Sequence, residues 1–204
     1  THAGSFDLSF LRCVPNMVVM APANENECRQ MLFTGFSYQG PAAVRYPRGA
    51  GPGEAVEPEM RALAIGKAEV VKRGKDVVML SFGSCLEDCR TVASRIGASL
   101  VNMRFVKPLD ADLIIEMANS HKLVVTIEEN AVMGGAGSGV NELLAATGGN
   151  FNILNIGIPD TYIEHGSRQD CLAWAGLDTD GIFEQVNKRL ERLSGTRSVS
   201  GSDI

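Results

Sequence analysis

From residue 77 onward, short apolar runs alternate with stretches of helical length, and this alternation constrains the fold more than any other feature of the chain. The runs at 77–82, 100–103, 123–128 and 151–156 are rich in Val, Ile, Leu and Met and lack the in-out alternation of a half-solvated strand. Strands buried on both faces read this way. Between and after them, residues 86–96, 111–120, 139–146 and 181–193 read as helices. Parallel strands need a crossover of about a dozen residues, and a helix is the usual one. The expectation is therefore an α/β domain with a mostly parallel sheet and helices on both faces. Runs at 68–72 and 77–82, separated by Arg-Gly-Lys-Asp, predict a hairpin feeding the first central strand.

Upstream, residues 17–21 read as a buried strand that Pro22 stops. Asn24, with Glu27 three residues on, resembles a capping box opening a helix that runs to about Ser37. Residues 42–46 read as a second strand. The Pro- and Gly-rich segment 47–58 suits neither regular structure and marks a linker. The expected organisation is one body over 1–49, a linker over 50–62, a second body over 63–194 and a flexible tail over 195–204. The chain opens without Met inside what reads as a loop, so it is expected to lack its natural N-terminus.

Composition narrows the function. Hydrophobic residues make up 45% and charged residues 21%, the balance of a folded globular protein. The net charge is −5 and the 19 Lys and Arg form no dense run, which argues against a nucleic-acid binder. No apolar stretch nears the roughly 20 residues needed to span a bilayer. Five dispersed cysteines read as reduced cytosolic thiols. Cys85 and Cys89 lie four apart on a predicted helix, but neither a second Cys pair nor a nearby His completes a tetrahedral metal site, so they read as packed apolar side chains.

Three places carry candidate chemistry. Thr1-His2-Ala3-Gly4 puts an imidazole beside a glycine. Arg45-Tyr46-Pro47-Arg48-Gly49 ends a strand, where open α/β sheets place ligands, and its guanidiniums match phosphate or carboxylate oxygens. The third is Glu128-Glu129-Asn130 followed by the Gly134 to Gly139 loop. A glycine-rich loop at a helix start can cradle phosphate. Here the P-loop Lys is missing and two carboxylates would repel an anion, so close packing is the expected role. His121 has little claim to catalysis, and His165, in a loop after a strand, is a modest candidate for an interface or substrate channel.

Read together, four segments resemble the C-terminal third of the 1-deoxy-D-xylulose-5-phosphate synthases, a thiamine-diphosphate family related to transketolase. They are Thr-His-Ala-Gly-Ser-Phe-Asp-Leu-Ser-Phe-Leu-Arg (1–12), Pro-Asn-Met-Val-Val-Met-Ala-Pro (15–22), Val-Arg-Tyr-Pro-Arg-Gly (44–49) and Glu-Glu-Asn-Ala-Val-Met-Gly-Gly-Ala-Gly-Ser-Gly (128–139). The resemblance implies the end of a pyrimidine-binding domain followed by a transketolase C-terminal domain. It implies a bacterial cytoplasmic homodimer that condenses pyruvate with D-glyceraldehyde 3-phosphate, releasing CO₂. Thiamine diphosphate and Mg²⁺ would be held mainly by upstream parts, since the family's Gly-Asp-Gly motif is not in this chain, and the segment alone would be inactive. His2 matches the family's active-site histidine and would orient substrate oxygens and exchange protons with them. Arg48 matches the arginine that anchors the acceptor phosphate, while Arg45 would serve structure. Two alternatives are the β subunit of a 2-oxo-acid dehydrogenase, which shares the Arg-Tyr-Pro-Arg-Gly pattern, and a non-catalytic dimerisation module.

Overall fold

Two sheets organise the molecule, and a strand from the second half of the chain joins them. The computed structural model describes residues 4–195. The smaller sheet has the order β2-β1-β6, with β1 (Val18–Met20) parallel to β2 (Ala42–Val44) and antiparallel to β6 (Phe105–Lys107). The larger has five strands: β3 (Glu69–Lys72), β5 (Ser99–Asn102), β4 (Val77–Phe82), β7 (Leu123–Ala131) and β8 (Ile153–Ile158), in that spatial order. All pairings in it are parallel except β3 with β5.

Helices cover both faces of the large sheet, as the unbroken apolar runs predict. Along β4, Val77 and Met79 point into a core with Cys89 and Val92 of α3 (Leu86–Ile96) and Ile182 and Val186 of α7 (Thr179–Gly195). The alternate residues Val78, Leu80 and Phe82 pack with Ile114 and Met117 of α4 (Ala111–Ser120) and Val140 of α5 (Ala136–Ala146). Every residue of β4 is buried, so both parities are apolar apart from Ser81.

The predicted hairpin is not formed. β5 lies between β3 and β4, and β3 pairs with it instead, Val70 opposite Val101. Both edges of β4 are taken by parallel partners, Val78–Ser81 along β5 and Val77–Phe82 along β7. β3 is only half-buried and suits the sheet edge. The connection crosses the end of β5, with Gly74 N–H donating to Ser99 Oγ at 2.8 Å and Lys75 N–H to the Gly97 carbonyl at 2.9 Å.

In the first body, Asn24 caps α2 (Glu25–Ser37) by accepting from Glu27 N–H at 2.8 Å. The reciprocal half of the capping box is displaced. The Glu27 carboxylate accepts from Ala23 N–H (2.8 Å), from Asn102 Nδ2 (2.9 Å) and from Arg104 Nε (2.6 Å), linking the start of α2 to the β5–β6 turn.

The Pro- and Gly-rich segment has no regular structure, as expected, but it runs as a strap along α2. Glu25 accepts the N–H groups of Gly53 and Glu54, Gln30 that of Arg61, and Thr34 that of Leu63. Side chains of one helix thus satisfy a backbone that has no ladder of its own. Of the predicted tail, only Gly195 is described, as the last residue of α7; 196–204 lie outside the described residues.

Candidate functional site

Arg45 follows β2 directly and stitches two of the candidate motifs together. Its Nε donates to Asp7 Oδ1 at 3.3 Å and its Nη2 to Ser5 Oγ at 3.3 Å; Nη2 also bonds the Glu129 carbonyl. Ser5 is three residues from His2, and Arg45 is three residues before Arg48. Ser5 and Asp7 therefore meet the strand end that precedes Arg48 near the carboxyl ends of β2 and β7, where open α/β sheets form ligand crevices. His2 itself lies outside the described residues. Arg48 is exposed and makes no hydrogen bond or ion pair among the described residues. Its neighbours Pro47 and Gly49 line a cavity of about 840 Å³ shared with Phe33, Phe36, Met60 and Arg168; Arg48 does not line it.

The glycine-rich loop is already filled by a carboxylate. Glu128, 1% exposed, accepts from Ala136 N–H (2.7 Å) and Gly137 N–H (2.8 Å) at the start of α5. Its oxygens occupy the position a bound phosphate would take. The glycines make room for this insertion: a Cβ on Gly135 would stand 2.4 Å from Glu128 Oε2, and one on Gly137 2.5 Å from Thr126 Oγ1. Burial raises the Glu128 carboxyl to about 7 against the pull of the two amides and of Arg12 and Arg45. The outer side of the loop packs on α1 (Asp7–Leu11) and its continuation. There Ser9 Oγ donates to the Met133 carbonyl and Arg12 Nη1 to the Gly134 carbonyl, each at 2.9 Å, and Arg12 pairs with Glu142 at 2.6 Å. Packing is the role expected of this loop.

These features also test the cofactor. Among the described residues no cluster of three His, Cys, Asp or Glu could hold a metal ion. With Glu128 seated on the α5 amides, the described residues do not fit a magnesium diphosphate.

Sequence reasoning missed a second use of the same region. Glu129 Oε2 accepts from Ser84 Oγ at 2.7 Å and from Arg168 Nη2 at 2.5 Å, while its carbonyl takes Arg45. Arg168 opens α6 (Arg168–Trp174), whose capping box of Ser167 and Asp170 is a signal legible in the sequence. The other candidates are accounted for locally. His121 is held by Ser99 Oγ (2.8 Å) and the Met117 carbonyl (2.8 Å), a structural setting. His165 is exposed, without a hydrogen-bond partner among the described residues. Cys85 and Cys89 are buried free thiols; desolvation raises both, Cys89 to about 12, which keeps them protonated and apolar.

Residues 66–182 match the family profile described as the transketolase C-terminal domain, and residues 1–53 the transketolase pyrimidine-binding domain. The chain belongs to the transketolase family. This transketolase-family chain is 56% identical over 203 residues to the 1-deoxy-D-xylulose-5-phosphate synthase of Thioalkalivibrio sulfidiphilus, which covers 100% of the chain and 31% of that relative. It is 53% identical over 198 residues to the synthase of Nitrosococcus oceani, covering 97% of the chain and 31% of the relative. It therefore spans less than a third of the length of these curated relatives. Among solved structures, a split-gene transketolase described as an inactive beta4 tetramer superposes with a TM-score of 0.81 at 30% identity, over 91% of this chain and 61% of that one. The Campylobacter jejuni transketolase superposes with a TM-score of 0.62 at 14% identity, over 90% of this chain and 28% of that one, a likeness of fold. No helix among the described residues of this transketolase-family chain is long and apolar enough to cross a membrane.

Proposed function

We propose that this chain works as the C-terminal part of a bacterial, cytoplasmic 1-deoxy-D-xylulose-5-phosphate synthase. On this reading residues 1–49 complete a pyrimidine-binding domain, 50–62 link it and 63–194 form the C-terminal domain. The assembled homodimer condenses pyruvate with D-glyceraldehyde 3-phosphate to a five-carbon phosphorylated ketose and CO₂. Thiamine diphosphate with Mg²⁺ supplies the decarboxylation chemistry when bound, held by residues outside this chain. Arg48 takes the acceptor phosphate, for which a forked guanidinium is well shaped. His2 orients the substrate oxygens and moves protons on and off them.

The observation that carries this reading is the Arg45 junction. By binding Ser5 and Asp7 from the end of β2, Arg45 ties the residues just after the Thr-His-Ala-Gly motif to the Arg-Tyr-Pro-Arg-Gly segment. On this reading the imidazole of His2 and the guanidinium of Arg48, which has no ion-pair partner among the described residues, serve the same small substrate.

The test is product analysis with the polypeptide that carries this segment, supplied with thiamine diphosphate and Mg²⁺. Pyruvate and D-glyceraldehyde 3-phosphate should give the five-carbon ketose phosphate and CO₂ in equal amounts. With oxidised lipoamide also present, acetylation and reduction of its disulfide with no ketose formed would overturn the reading.

A further inference from the structure

The turn that carries Arg48 is flanked at its two ends by two residues of the C-terminal half, Glu129 and Arg168. At its start, Arg45 Nη2 bonds the backbone carbonyl of Glu129. At its end, the Cδ of Arg168 lies 3.6 Å from where a Cβ of Gly49 would stand, and the two residues line the same cavity. Gly49, at φ +154, has a backbone conformation that L side chains rarely adopt. Arg168 is in turn fixed by the Glu129 carboxylate at 2.5 Å and by Ser84 Oγ at 2.9 Å. The carboxylate is 12% exposed and the Arg168 side chain 30%, so the pair is partly screened from solvent. The Arg168 backbone is anchored as well, because it is the first residue of a helix closed by the Ser167–Asp170 capping box.

Arg48 has none of this support. It is exposed and unpaired among the described residues, so its direction depends on the backbone of residues 45–49. We infer that Arg168 is a positioning residue: braced by Glu129, it sets the turn that presents Arg48 to a phosphorylated aldehyde. The inference rests on the proposed role of Arg48 and extends the site to Arg168 of the C-terminal domain, a side chain that no sequence motif singles out. It also gives Glu129 a task on either side of the turn, its backbone carbonyl taking Arg45 and its carboxylate bracing Arg168.

The test uses the assembled synthase with thiamine diphosphate and Mg²⁺, and the variants Arg168→Gln, Arg168→Lys, Arg48→Ala and the double variant Arg48→Ala with Arg168→Gln. Arg168→Gln should raise the KM for D-glyceraldehyde 3-phosphate about fivefold and leave that for pyruvate within about twofold, since misplacement of a binding group penalises its own ligand. Arg168→Lys keeps a cation against Glu129 and should recover part of the loss. The double variant should be no worse than Arg48→Ala alone, because both changes act on one contact. Amide hydrogen exchange over residues 46–51 should quicken in Arg168→Gln without any substrate present. Equal changes in both KM values, additivity with Arg48→Ala, or unchanged exchange would overturn the inference about Arg168. If instead Arg48→Ala itself spares the phosphosugar KM, the functional reading of Arg48 fails, and that single-variant arm identifies it.

Discussion

Replacing Glu128 by Gln should change how stability depends on pH, and the structure sets both size and sign. The Glu128 carboxyl is raised from 4.5 to about 7, chiefly by burial. Each unit between folded and unfolded values is worth about 1.4 kcal/mol, so the gap corresponds to about 3 kcal/mol. Because the folded value is the higher one, the native state holds a proton between pH 4.5 and 7 that the unfolded chain releases. Stability from this group is complete below pH 4.5, falls as the pH rises and levels off above 7. Gln does not titrate, and its amide can satisfy only one of the Ala136 and Gly137 N–H groups, leaving the other buried and unpaired at a cost of about 1–3 kcal/mol. Glu128→Gln should therefore be destabilised by about 2 kcal/mol at pH 5 and approach or pass the wild type at pH 8. Urea denaturation of both proteins at several values from pH 5 to 8 measures the difference. Asp76 and Glu25, held low by Lys122 and by backbone amides respectively, are common to both proteins and cancel. Parallel pH profiles for the two proteins would refute the reasoning.

The ion pair at the start of α2 gives a second expectation. Arg104→Ala leaves the 7%-exposed Glu27 without its cationic partner and should cost about 2–3 kcal/mol, read from the shift in urea midpoint at constant slope. Gly137→Ala drives a Cβ to 2.5 Å from Thr126 Oγ1 and 2.6 Å from Asn155 Nδ2, and should cost about 3 kcal/mol. Gly148→Ala, at φ +72 but with open space around it, should cost about 1 kcal/mol in the same assay. In the assembled synthase, His2→Ala should depress kcat by at least about a hundredfold if the imidazole moves protons in the reaction; near wild-type turnover would remove it from the site.

Local physics made most of the architecture readable. The central strands are legible because β4 is buried on both faces and is apolar at every position but Ser81. The Asn24 cap is legible because only a short polar side chain can reach the Glu27 amide. What failed depends on partners distant in sequence. The Arg-Gly-Lys-Asp turn looks like a hairpin because nothing local shows that β5, some 20 residues later, will insert between the flanking strands. β6 escaped notice because Arg104, at φ +58, bends the chain straight out of β5 without a glycine to mark it. α6 buries none of its seven residues, so it has no apolar stripe, and only its capping residues announce it.

The site divides in the same way. Arg45 and Arg48 stand out by motif and by their place at a strand end. Glu128 was legible in part, since adjacent carboxylates argue against phosphate at the glycine loop, but its seat on the α5 amides is a tertiary fact. The brace formed by Glu129, Ser84 and Arg168 joins residues 39 to 84 positions apart and could not be read from spacing.

Steady-state kinetics of Arg48→Ala in the assembled synthase address the central claim most directly. Losing a charge-assisted contact of about 1.5–3 kcal/mol should raise the KM for D-glyceraldehyde 3-phosphate by about ten- to a hundredfold while pyruvate stays within about twofold. An equal rise for both substrates, or none for the phosphosugar, would contradict the assignment of this guanidinium to the phosphate.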